Sequence, residues 1–304
     1  MKFGKLPDIS QVNFELPPLE DTQYLFNANE PDPSFRLYVG CPRWASKEWV
    51  GKIYPPKAKA ADYLRYYAQS FNGIELNSTH YQIPSSERVA QWRSSVPPHF
   101  RFSPKVPQMI SHHRKLKNVG TELEVFISAI RGFGKQLGQS FLQLHESFGP
   151  EFLPNLNEFL DLWPRDLSLA IEFRHPAWFQ QHRLIPEAES LLSQRACTSL
   201  ITDVSGRRDV LHQSLTSSTV MLRFVGNGLH PSDYTRADAW VERLIHWREK
   251  GIREVYFFAH EPGDALAVDL GTYVIQQFNQ AMDLNLRLPG LPDQGAGDQM
   301  SLFG

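Results

Sequence analysis

The chain has 304 residues, 41% of them hydrophobic and 21% charged, a balance that excludes wholesale disorder. Its 31 basic and 33 acidic residues sum to −2, so it does not coat nucleic acid or membranes by bulk charge, although a local basic cleft is compatible with that sum. Cys41 and Cys197 cannot build a disulfide framework, no spacing suits structural zinc, and there is neither a leader-like apolar core at the N-terminus nor an apolar run of about 18 residues; a cytoplasmic protein with no membrane association is expected.

Residues 1–35 include LPPLEDTQYLFNANEPDPS, rich in Pro, Asn and acids and without a period. They read as an extension that drapes over the domain or stays mobile. Short apolar or alternating runs then alternate with helical patterns. In chain order the patterning predicts strand 37–40, helix 59–71, strand 73–77, helix 87–95, strand 100–106, helix 121–137, strand 140–145 and helix 155–162. It continues with strand 168–174, helix 185–194, strand 199–203, a short helix at 210–215, strand 220–226, helix 236–250, strand 255–260 and helix 266–282. Within 236–250, Trp240, Leu244 and Trp247 share one face, and Gly251 suits the C-terminal cap. Strands alternating with helices over roughly 250 residues predict an α/β fold, a single (β/α)8 TIM-type barrel over 36–284, followed by a flexible tail, 285–304. A doubly wound open sheet is the alternative, but no GxGxxG or GxxxxGK[ST] follows the first strand.

Alternation along each strand divides it into a face toward the helices and a face toward the interior. Leu169, Ile171 and Phe173 share one face, leaving Glu172 and Arg174 inside. The same rule turns Glu75, Asn77, Lys105, Gln143, His145, Arg223, His260 and Asp203 inward. A purely structural barrel fills these layers with branched apolar side chains. A closed set of internal ion pairs would account for any one of these residues, yet burying each charge costs several kcal/mol, roughly, unless it is paired. Converging near the strand ends, they favour an active or binding site.

The stretches YVGCPRW, W-x4-YPP from Trp49, YLRYYAQSFNGIELNSTHY, VPPHFRFSPKVPQMISH, IEFRHPAWF and TDVSG resemble those of the domain-of-unknown-function-72 family, also called YecE-like. The similarity runs from about 36 to 282 and implies a TIM-type barrel without implying an activity. Two places depart from that pattern: Ala259, His260 and Glu261 end the eighth strand, and Val225 stands where a His is usual.

Three chemistries fit the inward set. In the first, Arg174, Arg223 and Lys105 hold an anion, Glu172 and Glu75 with His145 and His260 supply acid–base catalysis, and Asn77, Gln143 and Asp203 add polar contacts. Trp44, Tyr81 and Trp178 would stack a base or sugar ring. This is a metal-independent hydrolase or lyase acting on a phosphate-bearing substrate, nucleic-acid-derived ones included, with no cofactor. In the second, a divalent metal serves a hydrolase of the apurinic-endonuclease-like barrel type, although interleaved cations and the absence of HExxH argue against ligation. In the third, the basic loop 111–118, together with Arg207 and Arg208, binds nucleic acid without turnover. At the C-terminus, Gln299, Met300, Leu302 and Phe303 within QMSLF resemble the peptide by which bacterial polymerases and repair proteins dock on the DNA sliding clamp, carried here on a Gly-rich tether.

Overall fold

The computed structural model describes residues 4–19 and 35–292, and over the longer stretch strands and helices alternate. The first half runs β1 (Arg36–Gly40), α1 (Tyr63–Ser70), β2 (Gly73–Leu76), α2 (Ser78–Tyr81), α3 (Ser86–Ser94), β3 (Arg101–Pro104), α4 (Gly120–Arg131) and β4 (Ser140–Gln143). The second half runs α5 (Leu153–Leu162), β5 (Leu169–Glu172), the hairpin β6 (Phe179–Gln180) and β7 (Arg183–Leu184), and α6 (Pro186–Gln194). It ends with β8 (Thr198–Ser199), β9 (Ile201–Asp203), β10 (Thr219–Val225), α7 (Pro231–Glu249), β11 (Glu254–His260) and α8 (Asp264–Met282).

Apart from the β6–β7 hairpin, every ladder is parallel: β1–β11–β10–β9, β2–β3 and β4–β5–β8. The described residues thus form a mixed α/β fold of several parallel sheets rather than one unbroken eight-strand ladder. The joints have a physical cause. Between β1 and β2 the Asn72 side chain takes the place of a backbone rung, accepting from Val39 N at 2.8 Å and donating to the Leu37 carbonyl at 2.7 Å. A side chain on Gly40 would run into the Gly73 carbonyl, so glycine permits the close approach there. Between β3 and β4 the backbone ladder is reduced to the isolated bridges Phe102–Leu137 and Lys105–Phe141.

The strands carry apolar side chains on both faces. Ile74, Phe102, Leu142, Ile171, Leu222 and Phe257 belong to the main core with the helices. Tyr38, Phe141, Ala170, Leu200, Met221, Tyr256 and Phe258 form a separate cluster. Each fully buried Leu or Phe contributes about 1.5–3 kcal/mol, so the two layers fix the strand ends firmly.

Three local expectations are corrected. The segment 210–215 is not a helix: only Arg208–Val210 makes a 3-10 turn, and the chain then threads inward, where the buried His212 Nε2 meets the Leu200 carbonyl at 3.0 Å. The helix expected from 236 starts at Pro231, because His230 and Asp233 form a capping box around the new N-terminus. Met109–His113 is a π-helical turn, which places the two adjacent histidines on an element no periodicity announces.

Residues 4–19, the described part of the N-terminal stretch, lie against the rest of the fold. Arg208 donates to the Phe14 and Glu15 carbonyls at 3.2 and 3.0 Å, Arg243 to the Pro17 carbonyl at 2.9 Å, and Gly206 N to the Gly4 carbonyl at 2.8 Å. No described helix is long and apolar enough to cross a membrane. Gln299, Met300, Leu302 and Phe303 lie outside the described residues.

Candidate functional site

Five separate strands deliver charged or polar side chains to one buried network. Arg223 of β10 grips Glu75 of β2 with its fork, Nε and Nη2 each 2.9 Å from a carboxylate oxygen, and its Nη1 reaches Glu172 of β5 at 2.8 Å. Glu172 also accepts from Arg174 Nε at 2.7 Å and from Gln143 Nε2 at 2.8 Å. Gln143 in turn accepts from Lys105 Nζ at 2.8 Å. On the other side, Glu75 accepts from Asn77 Nδ2 and from His260 Nε2, both at 2.8 Å. The planar forks of Arg suit this two-carboxylate geometry in a way a lysine would not.

The electrostatics follow from these partners. Burial pushes the Glu75 carboxyl up, but Arg223 and then His260 outweigh it and hold the group well below the usual carboxylate range. Burial is likewise overcome at Glu172, where Arg174 and Arg223 hold the carboxyl at about 2. Both glutamates are therefore anions. Lys105 is drawn the other way: burial, reinforced by Arg223, lowers its ammonium to about 7. Two fixed carboxylates thus face two guanidinium groups and one ammonium that titrates near neutrality.

Above this network lies a cavity of about 670 Å³. Asn77, Lys105, Gln143 and His260 border it from below, and Tyr81, His80, His112 and Glu261 from the sides. Lys5, Leu6, Pro7 and Ile9 of the N-terminal extension also line it. Glu75, Glu172, Arg174 and Arg223 do not border the cavity; they are the layer beneath it.

Other predicted residues lie elsewhere. Asp203 belongs to the helix layer, accepting from Arg236 Nη2 at 2.8 Å and from Trp240 Nε1 at 2.7 Å and pairing with Arg208. Its strand runs in the opposite phase to the expected one, since Leu200 joins the apolar cluster of the inner strand faces while Ile201 joins the core with the helices. Trp178 is fully buried between Phe148 and Phe173, its Nε1 donating to the Phe148 carbonyl at 2.6 Å, so it offers no stacking face. Trp44 is half-buried edge-on against Trp92 and does not border the cavity. His145 is also outside it, paired with Ser147. Tyr81, 73% exposed, is the aromatic that does stand free at the cavity wall. The basic rim is largely engaged: Arg114 pairs with Glu122 at 2.6 Å, Arg207 with Asp209 at 2.9 Å, and Arg208 with Asp203. Among the described residues no group of three or more His, Cys, Asp or Glu side chains is arranged to hold a metal ion.

Sequence reasoning missed Glu261. It follows β11 directly; its Oε2 accepts from Gly228 N at 2.8 Å, while its Oε1 is buried without a partner among the described residues. A side chain at Gly226 would occupy the space of that carboxyl. Burial pushes the Glu261 carboxyl up to about 7. The available signal was the acid immediately after the strand end in FAHEPG.

Comparison with known proteins gives a consistent result. The family profile described as "Protein of unknown function DUF72" matches residues 38–294. The UPF0759 protein YecE of Escherichia coli K12 is 27% identical over 278 residues, covering 86% of this chain and 99% of its own. The UPF0759 protein YunF of Bacillus subtilis is 27% identical over 150 residues, covering 47% of this chain and 52% of its own. Among solved structures, the DUF72 family protein EF0366 of Enterococcus faecalis superimposes with a TM-score of 0.65 at 20% identity, covering 83% of this chain and 99% of its own. TM1631 of Thermotoga maritima gives 0.63 at 22% identity, covering 82% and 100%. These structural likenesses speak to the fold alone.

Proposed function

The chain belongs to the DUF72 family, and from the geometry of its site we propose that it binds a phosphate-bearing small molecule and acts on it as a metal-independent acid–base hydrolase or lyase. The observation that carries this reading is the Lys105 ammonium, which borders a solvent-reachable cavity and is seated on a buried network of two arginines and two glutamates. An anion entering that cavity meets the Lys105 ammonium, which has three N–H groups and one hydrogen-bonded partner, Gln143, among the described residues. Arg174 and Arg223 neutralise Glu172 and Glu75 beneath it, so the carboxylates do not repel the incoming anion.

The roles of the glutamates differ from the simplest expectation. Glu75 and Glu172 stay ionised, accept several hydrogen bonds each and lie below the cavity, so they fix the arginines, and Glu75 orients His260. With its Nε2 hydrogen given to Glu75, His260 has Nδ1 available as the general base. Glu261 is the proton donor: its carboxyl borders the cavity and titrates near neutrality. We also infer a (β/α)8 arrangement, which the alternation of parallel strands with helices and the gathering of polar groups at the strand ends support.

Calorimetric titration with inorganic phosphate tests the binding step. The wild type should bind, and Lys105→Met should weaken binding at least about tenfold, the loss of one charge-assisted hydrogen bond, without unfolding the protein. Equal affinity in the two proteins overturns the proposal.

A further inference from the structure

We propose that the ligand of this cavity is a polyhydroxylated anion of the sugar-phosphate class, whose hydroxyl groups donate to His80 and His112 while its anionic group meets Lys105. The proposal rests on the anion-site reading and names the rest of the molecule that the site would accept.

The hydrogen bonds settle the tautomers. His80 Nδ1 lies 2.9 Å from the Val106 carbonyl, which can only accept, so Nδ1 carries the proton and Nε2 is a bare acceptor. Ser111 Oγ gives its hydrogen to the Pro107 carbonyl at 3.0 Å, so its 2.8 Å contact with His112 Nδ1 requires a proton on that nitrogen. His112 is left with a bare Nε2 as well. The two rings meet edge to face with centroids 5.0 Å apart, and both border the cavity. Neither escapes by taking up a proton. Burial first and Lys105 second lower His80 to about 4, and burial, His80 and Lys105 lower His112 to about 3.

The wall therefore combines a cation, which wants an anion, with two neutral acceptors, which want hydrogen-bond donors. A fully ionised phosphate monoester group satisfies Lys105 but has no O–H to give, and leaves both imidazoles to water. An ammonium-bearing ligand supplies donors but is repelled by Lys105. Hydroxyl groups on the same molecule as the anion satisfy every group without that repulsion. Tyr81, in edge contact with His80 at 5.3 Å and open to the cavity, offers an apolar face for the carbon side of a sugar ring.

The test compares methyl phosphate with ribose 5-phosphate by calorimetry on the full chain. Ribose 5-phosphate should bind wild type at least about tenfold more tightly, the worth of two net hydrogen bonds. In His80→Phe and His112→Phe that advantage should shrink to about threefold or less, with methyl phosphate affinity within about twofold of wild type. Equal binding of the two probes to wild type overturns the proposal and leaves the anion site standing; this arm needs no variant and so survives if His80→Phe fails to fold. An advantage that persists in folded His80→Phe and His112→Phe also overturns it. Binding of neither probe overturns the anion reading itself.

Discussion

Arg223 is the residue on which the buried network turns. It is fully buried and holds both glutamates, so its removal leaves Glu75 without its main counter-charge and strips Glu172 of its second one. Arg223→Met should destabilise the protein by about 3–5 kcal/mol in urea denaturation, the cost of breaking a buried pair from one side. Arg223→Lys should recover part of that loss, because a point charge cannot serve both carboxylates. The pH dependence has a definite sign. Glu172 has its carboxyl lowered from 4.5 to about 2 in the fold, so the unfolded chain binds its proton first. Its contribution is present above pH 4.5 and disappears as the pH falls toward 2; Glu172→Gln should flatten the acid limb of a stability–pH curve, and an unchanged limb would contradict the assignment. Glu261 works in the opposite sense. Raised from 4.5 to about 7, its carboxyl stabilises the fold below pH 4.5, and that contribution fades as the pH rises through 7. Glu261→Gln should therefore be the more stable protein at pH 8, while the two converge in acid.

At the scale of elements, residues 4–19 form a wall made by a segment outside the family match at 38–294. Their attachments include Gly206 N and Ser205 Oγ to the Gly4 carbonyl, Arg208 to two carbonyls, Arg243 and Gln213 to the Pro17 and Pro18 carbonyls, and the Phe14 ring on Arg208 and Arg236 at 5.7 and 5.1 Å. A side chain at Gly206 would come 2.6 Å from the Gly4 carbonyl oxygen. Gly206→Ala should accelerate limited proteolysis within the segment while changing global stability by less than about 1 kcal/mol, since the sheets are untouched. The strands were the most legible elements, because alternation alone turned Glu75, Lys105, Gln143, Glu172 and Arg223 to one side. Alternation failed at Asp203. Its three-residue strand holds too few side chains to fix the phase, and the partners that decide it, Arg236 and Trp240, are more than 30 residues away on α7. The π-turn at Met109–His113 and the His230 cap carry no periodic signal, so the placing of His112 and the true start of α7 were not legible either.

For the molecule as a whole, composition and pattern were enough to foresee an α/β fold with polar strand ends, and the motifs were enough to identify the family. They were not enough to rank the polar residues. Which charges face the cavity and which lie beneath it depends on side-chain reach: the long Lys105 and the short Asn77 touch the cavity, whereas Glu75 and Glu172 are turned to their arginine neighbours beneath it. The central claim is that the Lys105 ammonium, seated on a buried network of paired charges, draws an anion into this cavity. Selenate soaked into crystals of the protein, located by its anomalous scattering, tests it most directly. Selenate within hydrogen-bond distance of Lys105 Nζ is the predicted result; an empty cavity, with selenate only on surface arginines, would contradict it.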